Sequence, residues 1–282
     1  DGIRSGNTGP ALGAHVRRRA SVAMELDNND GPTTWQLGAR LDTRDQYRQR
    51  LSGTGALSHQ VSEKITLRSS IGTIHRLPSF TELYYISPSD QGDASLEAET
   101  GWSWDAAMQW NSGSWQGHLS WFQRREDDLI EWARPLRSDL PWQSMNIAQG
   151  RVKGTESLLA WRHGRGHILS LGYTWLEKTT TLPENYEGKY SLLTPRHQVQ
   201  LQGSVVLPWN LGLTISGRYL ERSEGPEDFK FLFVLNSRLD WTHSSGLFAG
   251  VMGTNLLDRH YEEIPGVQMS GLLITGTVGW DF

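Results

Sequence analysis

Side chains able to do chemistry are sparse in this chain, and few stand at a spacing that a reaction needs. His163 and His167 in HGRGH are placed like a pair of metal ligands, but no carboxylate stands beside them and they flank a short turn. No metal centre is expected there. The acidic runs Glu126-Asp127-Asp128 and Glu262-Glu263 carry oxygen donors of the kind that hold calcium; a solvated, charged external loop is the simpler reading. There is no His-Glu-x-x-His, no Gly-x-Ser-x-Gly and no phosphate-cradling Gly-x-x-x-x-Gly-Lys segment. None of the 282 residues is a cysteine, which excludes a thiol nucleophile, a thiolate metal site and a disulfide framework. The chain therefore reads as a non-enzyme that needs no cofactor. Binding is better represented: Tyr84, Tyr85, Trp132, Arg134, Trp142 and Tyr186 combine aromatic faces with a cation, as a large, partly apolar chelate requires. The same side chains are equally suited to packing their own loops down.

The elements that must carry these residues follow from hydrophobic periodicity. In Ser270 to Phe282, Leu272, Ile274, Val278, Trp280 and Phe282 fall on one face and Thr275, Thr277, Gly279 and Asp281 on the other. Trp102, Trp104, Ala106, Met108 and Trp110 likewise oppose Ser103, Asp105, Ala107 and Gln109, and Val199, Leu201 and Val205 oppose Gln198, Gln200, Gln202 and Ser204. Three glutamines on one face suit water. This alternation predicts about thirteen strands, at 14–26, 33–42, 51–58, 64–76, 98–110, 114–125, 151–162, 166–177, 196–207, 209–222, 231–242, 246–255 and 270–282. Their length of roughly ten residues is what crosses a bilayer at a barrel's tilt. Connections alternate between short ones (27–32, 59–63, 111–113, 163–165, 208 and 243–245) and long ones (43–50, 77–97, 126–150, 178–195, 223–230 and 256–269). Short turns on one side and long loops on the other are the asymmetry of an outer-membrane β-barrel.

Composition agrees. Thirteen Trp, many near predicted strand ends, suit a membrane-water interface, and 27 Lys and Arg against 31 Asp and Glu leave no basic surplus for nucleic acid. The lipid bilayer of the outer membrane is the first partner expected. Arg40, Asp105, Gln198, Gln200, Gln202, Arg218, Arg238 and Asp240 are predicted to face a wet lumen.

Four segments then resemble, in order, the β-barrel of TonB-dependent outer-membrane receptors. In Ile74 to Thr100, Arg76, Pro78, Ser79, Phe80, Glu82, Leu83 and Tyr84 match a loop signature of that family, and Leu96 and Glu99 survive from its second half, where both prolines are missing. RREDDLIEW (124–132) resembles a strand exit, NIAQGRVKGTE (146–156) a strand start, and TNLLDRHYE (254–262), with Asn255, Leu256, Asp258 and Tyr261, the motif before the last strand. Trp280 and the terminal Phe282 are similar to the signal read by the barrel assembly machinery.

The resemblance implies an all-β, antiparallel transmembrane barrel of about 22 strands. Residues 1–282 would be the C-terminal part of it, without the earlier strands and the plug domain through which TonB acts. An odd number of strands cannot close alone as an ordinary bacterial barrel, and Asp1 is not an initiating Met, so processing or truncation is expected upstream. The implied function is uptake of a scarce ligand, a ferric siderophore or cobalamin; heme receptors would place a His within 77–97, which has none. Two other classes compete: a smaller passive porin-like channel, and a soluble Trp-rich carbohydrate-binding β-protein.

Overall fold

The structure is a computed structural model that describes residues 5–9, 12–44, 47–164, 166–189, 194–223, 227–264 and 267–281. A hairpin of β1 (Ser5–Gly9) and β2 (Gly13–Arg17) precedes β3 (Arg19–Asn28), β4 (Thr33–Arg44), β5 (Tyr47–Ser62) and β6 (Ile65–Arg76). A short helix α1 (Phe80–Tyr84) and β7 (Asp90–Gln91) lead to β8 (Glu99–Ser112), β9 (Trp115–Pro135), β10 (Trp142–His163) and β11 (His167–Thr181). Then come β12 (Tyr186–Gly188), β13 (Pro195–Leu207), β14 (Leu211–Arg222), α2 (Glu227–Lys230), β15 (Phe231–Thr242), β16 (Leu247–Thr254), β17 (Glu262–Ile264), β18 (Val267–Gln268) and β19 (Leu273–Trp280). Along the main sheet, hydrogen-bonded neighbours follow chain order from β3 to β19, with β7 and β12 off that path. Thirteen strands form the path, and each overlaps one predicted from alternation.

The chain divides into two compact units: residues 1–107, 121–153 and 177–191, and residues 108–120, 154–176 and 192–282. In the first, β3 to β6 are a continuous antiparallel ladder, with Leu37 opposite Gly55 and Gly55 opposite Ile71. In the second, β11, β13, β14, β15, β16 and β19 form another, with Gln202 opposite Ser170 and Ser216. Rows of like character run across each ladder: Leu171, Leu201, Gly217 and Leu235 are successive partners on one face, and Ser170, Gln202, Ser216 and Asn236 on the other.

Large apolar side chains of these ladders are exposed. Leu201 is 48% exposed, Val251 53% and Val278 77%. A water-soluble sheet would bury such a band, and a bilayer is the solvent that suits it; this weighs against the soluble carbohydrate-binding reading. None of the described helices is long and apolar enough to cross a membrane. The predicted wet residues share the opposite, polar face, where Arg40 pairs with Asp42, Arg238 with Asp240, and Asp105 accepts from Ser70.

Turn chemistry is local. Gly246, at φ +87°, closes the turn between β15 and β16, and a Cβ there would lie 2.2 Å from the Asp281 carbonyl oxygen. Between β13 and β14, where Leu207 pairs with Leu211, a three-residue turn opens on Pro208, and Trp209 and Asn210 both take positive φ, 61° and 58°.

Three expectations need correction. The strand expected at 14–26 is broken: Gly13–Arg17 pairs with Ser5–Gly9, and the main ladder starts at Arg19. Most of the long loop expected at 43–50 is strand, because pairing continues to Arg44 opposite Tyr47. Most of the loop expected at 126–150 is strand, with β9 running to Pro135 and β10 starting at Trp142. Above a bilayer both faces of a hairpin meet water or protein, so the two-residue alternation that marks a membrane strand is lost there.

Placing a charge on the exposed apolar row should therefore be costly. Leu201→Arg is expected to destabilise folding into bilayers by about 2–4 kcal/mol, and Gln202→Arg, one residue along and facing the other way, by less than about 1 kcal/mol, in denaturant titrations of refolding into vesicles.

Candidate functional site

The segment after β6 is organised by one guanidinium. Pro78 blocks continuation of the strand, and Ser79 caps α1: its hydroxyl accepts from the Glu82 N–H at 3.2 Å while the Glu82 carboxylate accepts from the Ser79 N–H at 2.6 Å. This reciprocal box leaves the Glu82 oxygens facing Arg76, whose two terminal nitrogens reach them at 3.0 Å each. Arg76 also donates to Glu99 at the start of β8, a carboxylate only 2% exposed that accepts a further bond from the Ile130 N–H on β9. Burial would raise the Glu82 pKa, but the Arg76 and Ser79 hydrogen bonds outweigh it and hold the carboxyl below its ordinary value.

Beneath this polar clasp, Leu83 packs with Leu96 and Ile130, and Phe80 and Tyr84 close over them. Tyr84 stacks on His15 at 3.8 Å between centroids, and Arg17 donates to the Pro78 carbonyl while lying 5.0 Å from the Phe80 ring. Ser144, almost fully buried on β10, donates to the Glu82 carbonyl and accepts from the Asp93 N–H. The motif residues Arg76, Pro78, Ser79, Phe80, Glu82, Leu83 and Tyr84 thus join β2, α1, β8, β9 and β10 into one block.

That block supports the hairpin of β9 and β10, whose outer edges are covered by two very short strands. β12 pairs antiparallel with the end of β9, Tyr186 opposite Pro135, and β7 pairs parallel with the start of β10, Trp142 opposite Asp90. Arg134 lies 4.2 Å from the Trp142 ring and donates to Glu187 at 2.7 Å. Lys189 lies 6.0 Å from the Trp132 ring and pairs with Asp90, whose pKa burial would raise but the Lys189 bond brings down. Trp132, Arg134, Trp142 and Tyr186 are brought together at this tip, on strands rather than in a loop; Tyr84 and Tyr85 stay with α1. Sequence reasoning missed Glu187, Lys189 and Asp90, the charges that hold the aromatic rings. Only the topology brings 90, 134 and 187 together.

In the second unit, the other motif is a folded turn. Asn255, at φ +50° and buried, accepts from the Arg259 N–H and donates to the Arg259 and Ser270 carbonyls, and Asp258 accepts from the Leu272 N–H. The Leu256 N–H bonds the Leu235 carbonyl. Tyr261 packs on Leu220, Leu232 and Val234, and Glu263 pairs with Arg218, so the connection before β19 lies against the polar face. Arg222 adds to this, stacking on Phe229 and donating to the Phe229 and Glu263 carbonyls.

The acidic runs have partners: Glu126 pairs with Arg124 and Asp127 with Arg125, both within β9 and not in a loop. His163 stacks on Trp161. Trp280 closes β19 opposite Leu247, while Phe282 lies outside the described residues.

A family model described as TonB dependent receptor-like, beta-barrel, matches residues 11–251. No curated protein matches the sequence. Among solved structures, the chain is similar to the siderophore receptor PirA from Acinetobacter baumannii, at 13% identity and a TM-score of 0.75, over 96% of this chain and 46% of that one. It is similar also to a variant of the ferric enterobactin receptor PfeA from Pseudomonas aeruginosa in complex with enterobactin, at 17% identity and 0.73, over 94% and 45%. The FrpB iron transporter from Neisseria meningitidis follows at 15% and 0.72, over 95% and 45%. The chain spans a little under half the length of these structures, and at such identities the likeness concerns the fold.

Two consequences follow for the clasp. Arg76→Ala leaves Glu99 buried without its cation and is expected to cost about 3–5 kcal/mol, whereas Glu99→Gln keeps an acceptor for Ile130 and costs roughly half of that; exchange of the Ile130 amide in deuterated water reads both. Because the Glu82 pKa is lowered on folding, its contribution is complete above its unfolded pKa of about 4.3 and is lost as pH falls through the lower folded value. Protection of the α1 amides should accordingly fall on acidification below about pH 4, and should not change between pH 6 and 8.

Proposed function

The chain belongs to the TonB-dependent receptor-like β-barrel family, and from that membership we propose that it supplies barrel wall and extracellular loops to an outer-membrane receptor for a ferric siderophore, with cobalamin as the second ligand class. The observation that carries this reading is the tip of the β9–β10 hairpin. There Trp132, Trp142 and Tyr186 are half-buried and Arg134 and Lys189 lie among them, each balanced by a carboxylate. Aromatic faces suit the apolar rings of a chelate, and cations suit its negative charge. An incoming anionic chelate competes with Glu187 for Arg134 and with Asp90 for Lys189, so binding reorganises pairs already in place.

In this reading Tyr84 and Tyr85 line the floor below the tip, held by the Arg76 clasp. The polar face of the strands is the wet wall along which the ligand descends once TonB, acting through a plug domain of the complete receptor, opens the way. The barrel assembly machinery reads the end of β19. Similarity of fold to a siderophore receptor, a ferric enterobactin receptor and an iron transporter supports the ferric siderophore over cobalamin. A passive porin needs no aromatic cluster at the rim.

The test uses the complete receptor in outer membranes. Trp132→Ala with Trp142→Ala is expected to weaken binding of a radiolabelled ferric catecholate siderophore at least tenfold, about 1.4 kcal/mol, with the barrel's heat-dependent electrophoretic shift unchanged. Saturable binding of cyanocobalamin and none of the siderophore would move the assignment to the second class. Ligand-independent leakage of small solutes, with saturable binding of neither, would overturn the receptor reading.

A further inference from the structure

The exposed apolar face of the first unit is not uniformly filled. Between β4, β5, β6 and β8 it carries a recess of about 440 Å³, walled by Trp35, Leu37, Leu57, Ile71 and Trp104 and floored by Gly55. The Trp104 indole N–H donates to the Ser69 hydroxyl at 3.1 Å, which fixes that wall.

Gly55 is not required by the backbone. It is not among the positive-φ glycines, and a Cβ built there would meet Leu37 and Ile71 at 3.4 and 3.9 Å, ordinary contact distances. Gly38 on β4 is the contrast: it faces the polar side, and a Cβ there would come within 2.6 Å of the Thr54 hydroxyl. A glycine inside a strand weakens it, having no side chain to pack. What Gly55 does in this structure is keep the recess open.

Depth in the membrane follows from the ladder. Gly55 lies seven residues before the end of β5 at Ser62, beyond which the short turn Glu63–Lys64 leads into β6. At about 3.3 Å per residue and a tilt near 45°, that is roughly 16 Å of height, half of a hydrocarbon core about 30 Å thick. The turn stands at the opposite end of β6 from the long connection 77–98, and long connections belong to the extracellular side, so the turn is periplasmic and the recess opens along the inner leaflet. At its foot, on the same face of β5, stands exposed His59, whose Nδ1 lies 2.8 Å from the Thr33 hydroxyl, and Lys64 is exposed in the turn itself.

We propose that this recess is a binding site for one acyl chain of a glycerophospholipid of the periplasmic leaflet, whose phosphate lies at the level of Lys64 and His59. The recess is continuous with the lipid-facing band, has hydrocarbon walls, and ends where a cation meets the headgroup layer. Of its two lining serines, Ser69 accepts from Trp104 and donates to the Asp105 carbonyl, and Ser70 donates to the Asp105 carboxylate, so neither hydroxyl asks for water or for a peptide backbone.

The experiment places the complete receptor in phosphatidylethanolamine vesicles doped with a phosphatidylethanolamine bearing a photoactivatable diazirine in one acyl chain. Labelling is expected to concentrate on Leu37, Leu57 and Ile71, and Gly55→Leu to reduce it there at least tenfold. Gly55→Ala, whose added methyl the structure accommodates at contact distance, gives an intermediate loss and serves should the leucine variant not fold. Lys64→Ala with His59→Ala is expected to lower the labelling about threefold without moving it. Labelling spread evenly over Leu37, Ile215 and Val251 and unchanged by Gly55→Leu would overturn the proposal. So would a recess labelled only by a lipopolysaccharide probe, or a crosslink from position 57 to a second polypeptide.

Discussion

In hydrocarbon a backbone N–H or C=O has no water to turn to, and nearly everything in this molecule depends on that. Each strand must find both of its neighbours, which makes the ladder long and regular and keeps hairpin turns short on the side where nothing else is needed. Once the backbone is satisfied by neighbours, side chains are free to answer two different solvents. The row through Leu201 and Leu235 answers lipid, and the row through Gln202 and Asn236 answers water. A single step in register would exchange these rows, so pairing is specified by the same alternation that specifies the membrane.

Beyond the bilayer the constraint relaxes, and different interactions take over. β9 and β10 continue outward as a hairpin with edges that would otherwise be open; β12 and β7 cover them with a few residues each. The hairpin is tied to the wall by charge. Arg76 ends a membrane strand, Glu82 sits in a helix and Glu99 begins the next strand, so one cation couples three elements at the level where lipid gives way to loops. Removing the cation strands a carboxylate in the interior, whereas an exposed ion pair such as Arg125 with Asp127 contributes little.

How much of this could be read from the chain follows from the same division. All thirteen strands of the main path were legible, because two solvents leave a two-residue period in the sequence. Where both faces of a strand meet protein or water, as from Glu126 to Pro135 and from Trp142 to Gly150, the period vanishes and the segment passes for a loop. The break at Arg18 left only a faint mark, the run Arg17-Arg18-Arg19 that interrupts the alternation of 14–26; partners elsewhere, His15 on Tyr84 and Arg17 on Pro78 and Phe80, hold Gly13–Arg17 away from the ladder. At the candidate site the aromatic residues were visible by type, and Trp132, Arg134, Trp142 and Tyr186 do converge. Their carboxylate and lysine partners come from 40 or more residues away or from a two-residue strand, and leave no local signature.

The motif residues show what a family signature records. Arg76, Ser79, Glu82 and Leu83 are spent on a cap, an ion pair and a small apolar cluster, and Asn255 and Asp258 on the hydrogen bonds of one turn. These are solutions to a folding problem that any barrel of this kind meets at its rim, whatever it binds, and so they identify a class of receptor. Ligand choice needs residues free to differ without unfolding the wall. In the first unit the proposed contacts, around Trp132, Arg134 and Trp142, lie at the hairpin tip, where few backbone groups depend on any one side chain. The tip stands on a clasp that holds it at a set height, and its own rings are held by charges that a competing anion can displace. If the tip is the ligand site as proposed, a rigid base with exchangeable contacts above it permits a change of ligand without a change of fold.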